Sequence, residues 1–133
     1  MSGRASRQKG QRAERAVVAA LRRAGWIASS ARALSGGMQR GEDIVWNGPA
    51  SIEVKDHATM DLSGWLRQAQ QQADGRPAVV VHKRRGKGEA EDWYVTTDVR
   101  TLLALLEGAR PCAKSKGGTT DGAAEPIRGN TAA

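Results

Sequence analysis

The apolar residues of this chain fall into two kinds of segment, and their alternation limits what it can fold into. DIVW (43–46), SIEVK (51–55), AVVVH (78–82) and WYVT (93–96) are short runs bounded by Gly, Pro, Asn or charged residues, the pattern of strands. Three other segments repeat their apolar residues at helical spacing. In the first, residues 10–24, Val17, Val18 and Leu21 follow Glu14 at i+3, i+4 and i+7. In the second, 62–74, Leu62, Trp65, Leu66, Ala69 and Ala73 share one face. The third, 99–107, has Asp98 as its cap, with Val99, Leu102, Leu103 and Leu106 expected to point inward. WIASSARAL (26–34) adds a strand of weaker alternation. The expected order is α-β-β-β-α-β-β-α, an α/β domain with a central mixed sheet of four to five strands flanked by helices.

At 133 residues the chain suffices for one domain with one modest core. That domain is expected over 1–107, with 1–9 as a loose basic arm. Residues 108–133 are rich in Gly, Ala, Thr and Lys, with almost no apolar anchors, and are expected to be disordered. The formal net charge is +7, and it is unevenly placed. Residues 1–40 carry nine basic side chains (Arg4, Arg7, Lys9, Arg12, Arg15, Arg22, Arg23, Arg32, Arg40) against one acid, Glu14. A basic face of this kind points to a polyanion, with nucleic acid ahead of an anionic membrane. No apolar run approaches the roughly 20 residues of a membrane span, and the basic N-terminus lacks a signal peptide's apolar core. A lone cysteine, Cys112, forms no intramolecular disulfide, and no Cys/His cluster suggests zinc. The chain therefore reads as soluble and cytosolic.

Against this basic background, the segment GEDIVWNGPASIEVKDH (41–57) places acids on apolar strands. Residues two apart on a strand share a face, so Glu53 and Lys55 project together while Val54 points into the core. If 43–46 and 51–55 pair as a hairpin across NGPA, Asp43 comes near Lys55. Two converging carboxylates repel unless a cation sits between them, and hard oxygen ligands suit Mg²⁺ or Mn²⁺. A lysine beside them can orient or deprotonate a water, or neutralise developing charge. That set, beside a basic surface, suits phosphodiester hydrolysis. The same spacing also arises on ordinary hairpins, where Glu53 and Lys55 would be a solvated pair contributing well under about 1 kcal/mol.

KGQRAERAVVAALRRAGW, RALSGG, GEDIVW and SIEVK, in that order, resemble the archaeal-type Holliday junction resolvases and their phage and bacterial relatives, in the PD-(D/E)XK nuclease superfamily. The resemblance covers residues 9–83. It implies a restriction-endonuclease-like core and a metal-dependent endonuclease that resolves four-way DNA junctions, leaving 5′-phosphate and 3′-hydroxyl ends. It implies Asp43, Glu53 and the Val54 carbonyl as ligands of Mg²⁺, with Mn²⁺ able to substitute. Lys55 would position or activate the attacking water, and Glu14 would reach the site from the first helix. Arg15 and Arg32 would contact phosphates, and Ser35 would lie near the scissile strand. Where the superfamily often has Pro before the first Asp, this chain has Glu42. A bacterial or phage-infected host cytoplasm follows from the same resemblance. Two symmetric cuts from a chain with one site imply a C2 homodimer. A related nuclease acting on flaps, nicks or ends, and a non-catalytic DNA-binding protein, are the alternatives.

Several further residues are candidates. Gln68 and Gln72 stand one helical turn apart beside Trp65, and Gln68 is favoured for a place at the site. Lys9, Arg40, Lys83, Arg84 and Arg85 are candidate DNA contacts; the last three sit in a charged turn after a strand of the same sheet. Histidines 57 and 82 are more often structural in such settings. Trp26, Trp46, Trp65 and Trp93 are mainly core candidates, with base stacking or a dimer role as the other use.

Overall fold

The structure, a computed structural model, describes residues 3–35 and 43–109, with the Ser35 side chain left aside. Over the described residues it is a mixed α/β fold of four helices and five strands. Helix α1 (Gly3–Arg23) is followed by strand β1 (Ala28–Ser30), the short helix α2 (Ala31–Ser35), and strands β2 (Ile44–Trp46) and β3 (Ser51–Lys55). Helix α3 (Leu62–Ala73), strand β4 (Ala78–His82), a 3₁₀ turn at Ala90–Asp92, strand β5 (Tyr94–Thr96) and helix α4 (Val99–Gly108) complete the order.

The strands form two sheets rather than the single central sheet of four to five strands expected. One is three-stranded, ordered β3-β4-β5, with β3 and β4 parallel and β5 antiparallel. The other is an antiparallel ribbon of β1 and β2, in which Ala28, Ser29 and Ser30 face Trp46, Val45 and Ile44. The two meet where the Asp43 N–H donates to the Ile52 carbonyl at 3.2 Å. The expected hairpin of 43–46 with 51–55 is therefore not formed. Asn47 explains why: its N–H donates to the Ile27 carbonyl and its Oδ1 accepts the Ile27 N–H, which extends β2 along β1. The Trp46 ring then folds over the connection, its Nε1 donating to the Ala50 carbonyl at 2.7 Å. Gly48 is needed beneath that ring, because a Cβ there would lie 2.0 Å from it.

β3 and β4 are buried on both faces, which is why they read as nearly continuous apolar runs. Ile52, Val54, Val79 and Val81 pack with Ala13, Val17 and Val18 of α1. Ala78 and Val80 pack instead with Trp65, Ala69 and Ala73 of α3. The three-stranded sheet thus lies between two helices, and the βαβ connection β3-α3-β4 aligns the C-terminal ends of two parallel strands. Asp61 caps α3 through the Gly64 N–H, and Asp74, at φ 53°, ends it with Gly75.

Three local expectations are corrected. Helix α1 starts at Gly3 rather than near residue 10, since Arg, Lys, Gln and Ala are good helix formers even without an apolar stripe. The segment 26–34 is only partly strand: the Ser30 hydroxyl accepts the Ala33 N–H and caps α2, turning the chain after three extended residues. In α4 the apolar face is not inward. Val99, Leu102, Leu103 and Leu106 are 70, 46, 60 and 55% exposed, and Leu105 is the leucine that packs on the core. Asp98 does cap α4, accepting the Thr101 N–H. Among the described residues no helix is long and apolar enough to cross a membrane. Arg40, Glu42, Cys112 and most of 108–133 lie outside the described residues.

Candidate active site

Glu14, Asp43, Glu53 and Lys55 line one pocket of about 340 Å³ at the C-terminal end of β3. Three elements bring them there. Glu14 is on the buried face of α1, one turn before Val17 and Val18. Asp43 stands just ahead of β2, and Glu53 and Lys55 alternate on β3 with the core residues Ile52 and Val54. Glu14 and Glu53 are each 5% exposed, which is unusual for carboxylates.

The polar contacts are specific. Asp43 Oδ2 accepts the Val54 N–H at 2.8 Å. A strand residue's N–H and C=O leave the backbone on the same side, so the Val54 carbonyl also faces Asp43 and away from β4. Lys55 Nζ lies 3.1 Å from Glu53 Oε2 and donates to Gln68 Oε1 at 2.9 Å. Gln68 rather than Gln72 is thus the glutamine joined to the lysine. Glu14 Oε2 lies 3.4 Å from an Arg32 guanidinium nitrogen. Burial pushes the Asp43 carboxyl up to about 7, helped by the charges of Glu53 and Glu14. Burial likewise raises Glu53, opposed by the ammonium of Lys55. Glu53 and Asp43 are within hydrogen-bonding reach of each other. Buried carboxylates that repel in this way favour either a shared proton or a cation.

Among the described residues no group of three or more His, Cys, Asp or Glu side chains stands in the geometry of a complete metal cage. The donor set nevertheless fits a hard cation. Mg²⁺ keeps several waters and is commonly held by one or two carboxylates, which is what Asp43 and Glu53 offer together with the Val54 carbonyl.

Basic residues flank the pocket on both sides. Lys9 and Lys83 each reach to 3.9 Å of an Asp56 oxygen, and with Arg85 they line an adjoining pocket. Arg15 and Arg32 line a cavity on the other side, beyond Glu14. Arg84 is set apart, over the Tyr94 ring at 5.4 Å. The Ser35 side chain and Arg40 lie outside the described residues. His82 is buried between the rings of Trp65 and Tyr94, its Nε2 2.7 Å from Thr96 Oγ1, which gives it a structural place. Burial also lowers its pKa. His57 is exposed at the pocket edge beside Trp65. Trp65 and Trp93 are core residues, whereas Trp26 is 40% exposed and meets Trp46 edge to face.

Sequence reasoning passed over Asp56, which follows the Glu-Val-Lys triplet directly and holds two lysines near the pocket. Its position was visible, but its partners, on α1 and after β4, were not. No protein-family model, curated protein or solved structure matches the chain.

Proposed function

We propose that the chain is a metal-dependent DNA endonuclease that cuts branched DNA, four-way junctions foremost, on a restriction-endonuclease-like core. The observation that carries this reading is the convergence of Glu14, Asp43, Glu53 and Lys55 in one pocket with basic residues on both sides. A protein that only bound phosphates would gain nothing from three acids, two of them buried, set in its basic face.

Asp43 and Glu53, with the Val54 carbonyl, would hold Mg²⁺ or Mn²⁺, which supplies Lewis-acid polarisation of a phosphoryl oxygen. The chain's own groups do the rest. The Val54 N–H fixes the Asp43 carboxylate by bonding its Oδ2. Gln68 and Glu53 hold the Lys55 ammonium between them, where it orients the attacking water and offsets charge building on the phosphate. Glu14, braced by Arg32, adds a third acid able to take up a proton from water. In-line displacement of the 3′ oxygen would leave a 5′-phosphate and a 3′-hydroxyl.

Paired symmetric cuts require two copies, and the exposed apolar face of α4 is the surface we assign to a C2 homodimer. It adjoins an apolar cavity of about 400 Å³ lined by Trp26, Val95 and Leu105. The test of function is a gel of labelled four-way junction, duplex and single strand with this protein, with and without Mg²⁺. Magnesium-dependent paired cuts near the branch point are expected. Equal cutting of all three substrates sinks junction preference, and no cutting with either Mg²⁺ or Mn²⁺ sinks the nuclease reading.

A further inference from the structure

His57 stands on the connection between β3 and α3, where the carboxylate pocket meets the basic pocket of about 230 Å³ beside it. With Lys9, Asp56 and Ala58 it lines both. Its side chain is exposed, yet it has a fixed support. The imidazole packs on the indole of Trp65, with ring centroids 5.6 Å apart and planes inclined by 36°, and Trp65 is itself only 7% exposed. Trp65 and Gln68 are three residues apart on α3 and so share a face. One helix therefore supports both His57, through Trp65, and Lys55, through the Gln68 side chain.

Displacing a 3′ oxygen creates an alkoxide, which must gain a proton. In the proposed reaction Asp43 and Glu53 hold the cation and Glu14 takes the proton of the attacking water. The Lys55 ammonium is held between Glu53 and Gln68. Around His57, Lys9 comes from α1, Lys83 and Arg85 from the turn after β4, and Asp56 lies 3.9 Å from each of the two lysines. Lysine and arginine side chains ordinarily keep their protons far above neutral pH. An imidazole both holds and releases a proton near neutrality, and His57 is the one histidine among the described residues lining these two pockets.

From this we infer that His57 is the general acid of the cut, giving its proton to the 3′ oxygen as that oxygen leaves. This rests on the nuclease reading and adds a catalytic residue to it. The water oxygen bonds to phosphorus as the P–O3′ bond breaks, and the electron pair of that bond stays on O3′, which takes the imidazolium proton. Glu14 receives the proton from water, and exchange with solvent returns both side chains to their starting forms.

The test is single-turnover cutting of a four-way junction by saturating full-length protein, with the ordinary oxygen or a bridging 3′-sulfur at the mapped cut. A thiolate leaves without a proton, so the sulfur substrate needs no general acid. Mn²⁺ serves for both, because sulfur is a poor ligand for Mg²⁺. His57→Ala and His57→Gln should each slow the oxygen substrate by about a hundredfold or more and leave the sulfur substrate at the wild-type rate. Junction affinity in EDTA should be unchanged. On the oxygen substrate the wild-type rate should fall about tenfold per pH unit once the imidazolium is lost, and His57→Gln should lack that limb. The limb decides the matter if the wild type does not take the sulfur substrate. Equal slowing on both substrates, a full oxygen-substrate rate in either folded variant, or an alkaline limb that His57→Gln keeps overturns the inference while the nuclease reading stands. A wild-type protein that cuts neither junction sinks both.

Discussion

Asp43 stands under two opposing influences, a hydrogen bond from Val54 N–H that favours its charged form and burial beside Glu53 that disfavours it; burial prevails, at about 7. The sign of its effect on stability follows. A carboxyl whose folded pKa lies above its ordinary 3.8 contributes most when protonated, so its contribution is full below 3.8 and is lost as pH rises through about 7. Urea midpoints of the metal-free protein should therefore fall with pH across that window, and Asp43→Asn should flatten the trend while keeping the Val54 bond. The same substitution, or Glu53→Gln, should abolish cleavage yet hold or tighten DNA binding, since each removes a negative charge from the groove. A folded variant that lost binding and cleavage together would count against the metal role. Lys55→Ala should lower turnover by about two orders of magnitude or more with affinity barely moved. Gln68→Ala, which removes one of the two groups holding the ammonium, should cost about tenfold to a hundredfold. An affinity loss that accounted for the whole Lys55→Ala defect would make that lysine an ordinary phosphate contact.

At the scale of elements, the βαβ unit β3-α3-β4 builds most of the site. Its parallel register sets Lys55 opposite His82 and brings α3, with Gln68, over the end of β3. Helix α4 contributes nothing to that site and leaves Val99, Leu102, Leu103 and Leu106 in solvent. Burying even a few such side chains against a second copy would contribute about 1.5–3 kcal/mol each if fully covered. Leu103→Lys should thus shift the protein from dimer to monomer in sedimentation equilibrium without loss of helical signal, and paired cutting should give way to single nicks. A wild-type protein that is monomeric at all concentrations tested would remove α4 from the assembly and favour action on flaps, nicks or ends.

Across the described residues, basic side chains flank the carboxylate pocket on both sides. The turn after β4 supplies one flank through Lys83 and Arg85, while Arg84 lies over Tyr94. Arg85→Gln should flatten the salt dependence of junction binding by about one unit, and Arg84→Gln by less. The reverse order would mean that the nucleic acid crosses Tyr94 rather than the pocket.

What the sequence by itself determined is local. The 3.6 spacing marked α3 to within a residue at its end, Asp98 marked the start of α4, and the alternation in SIEVK put Glu53 and Lys55 on one face, because each of these depends on neighbours in the chain. Pairing across the fold was decided only by tertiary structure. Whether β2 lies beside β1 or β3 turned on Asn47 reaching Ile27, twenty residues away. Whether an apolar helix face is core or surface depended on what packs there, and for α4 the described residues place nothing against most of it. The arginine cavity joins α1 to residues 28–33, separated in sequence but adjacent in space. Its buried Arg32 Nε has no hydrogen-bond partner among the described residues, which no spacing along a chain can encode.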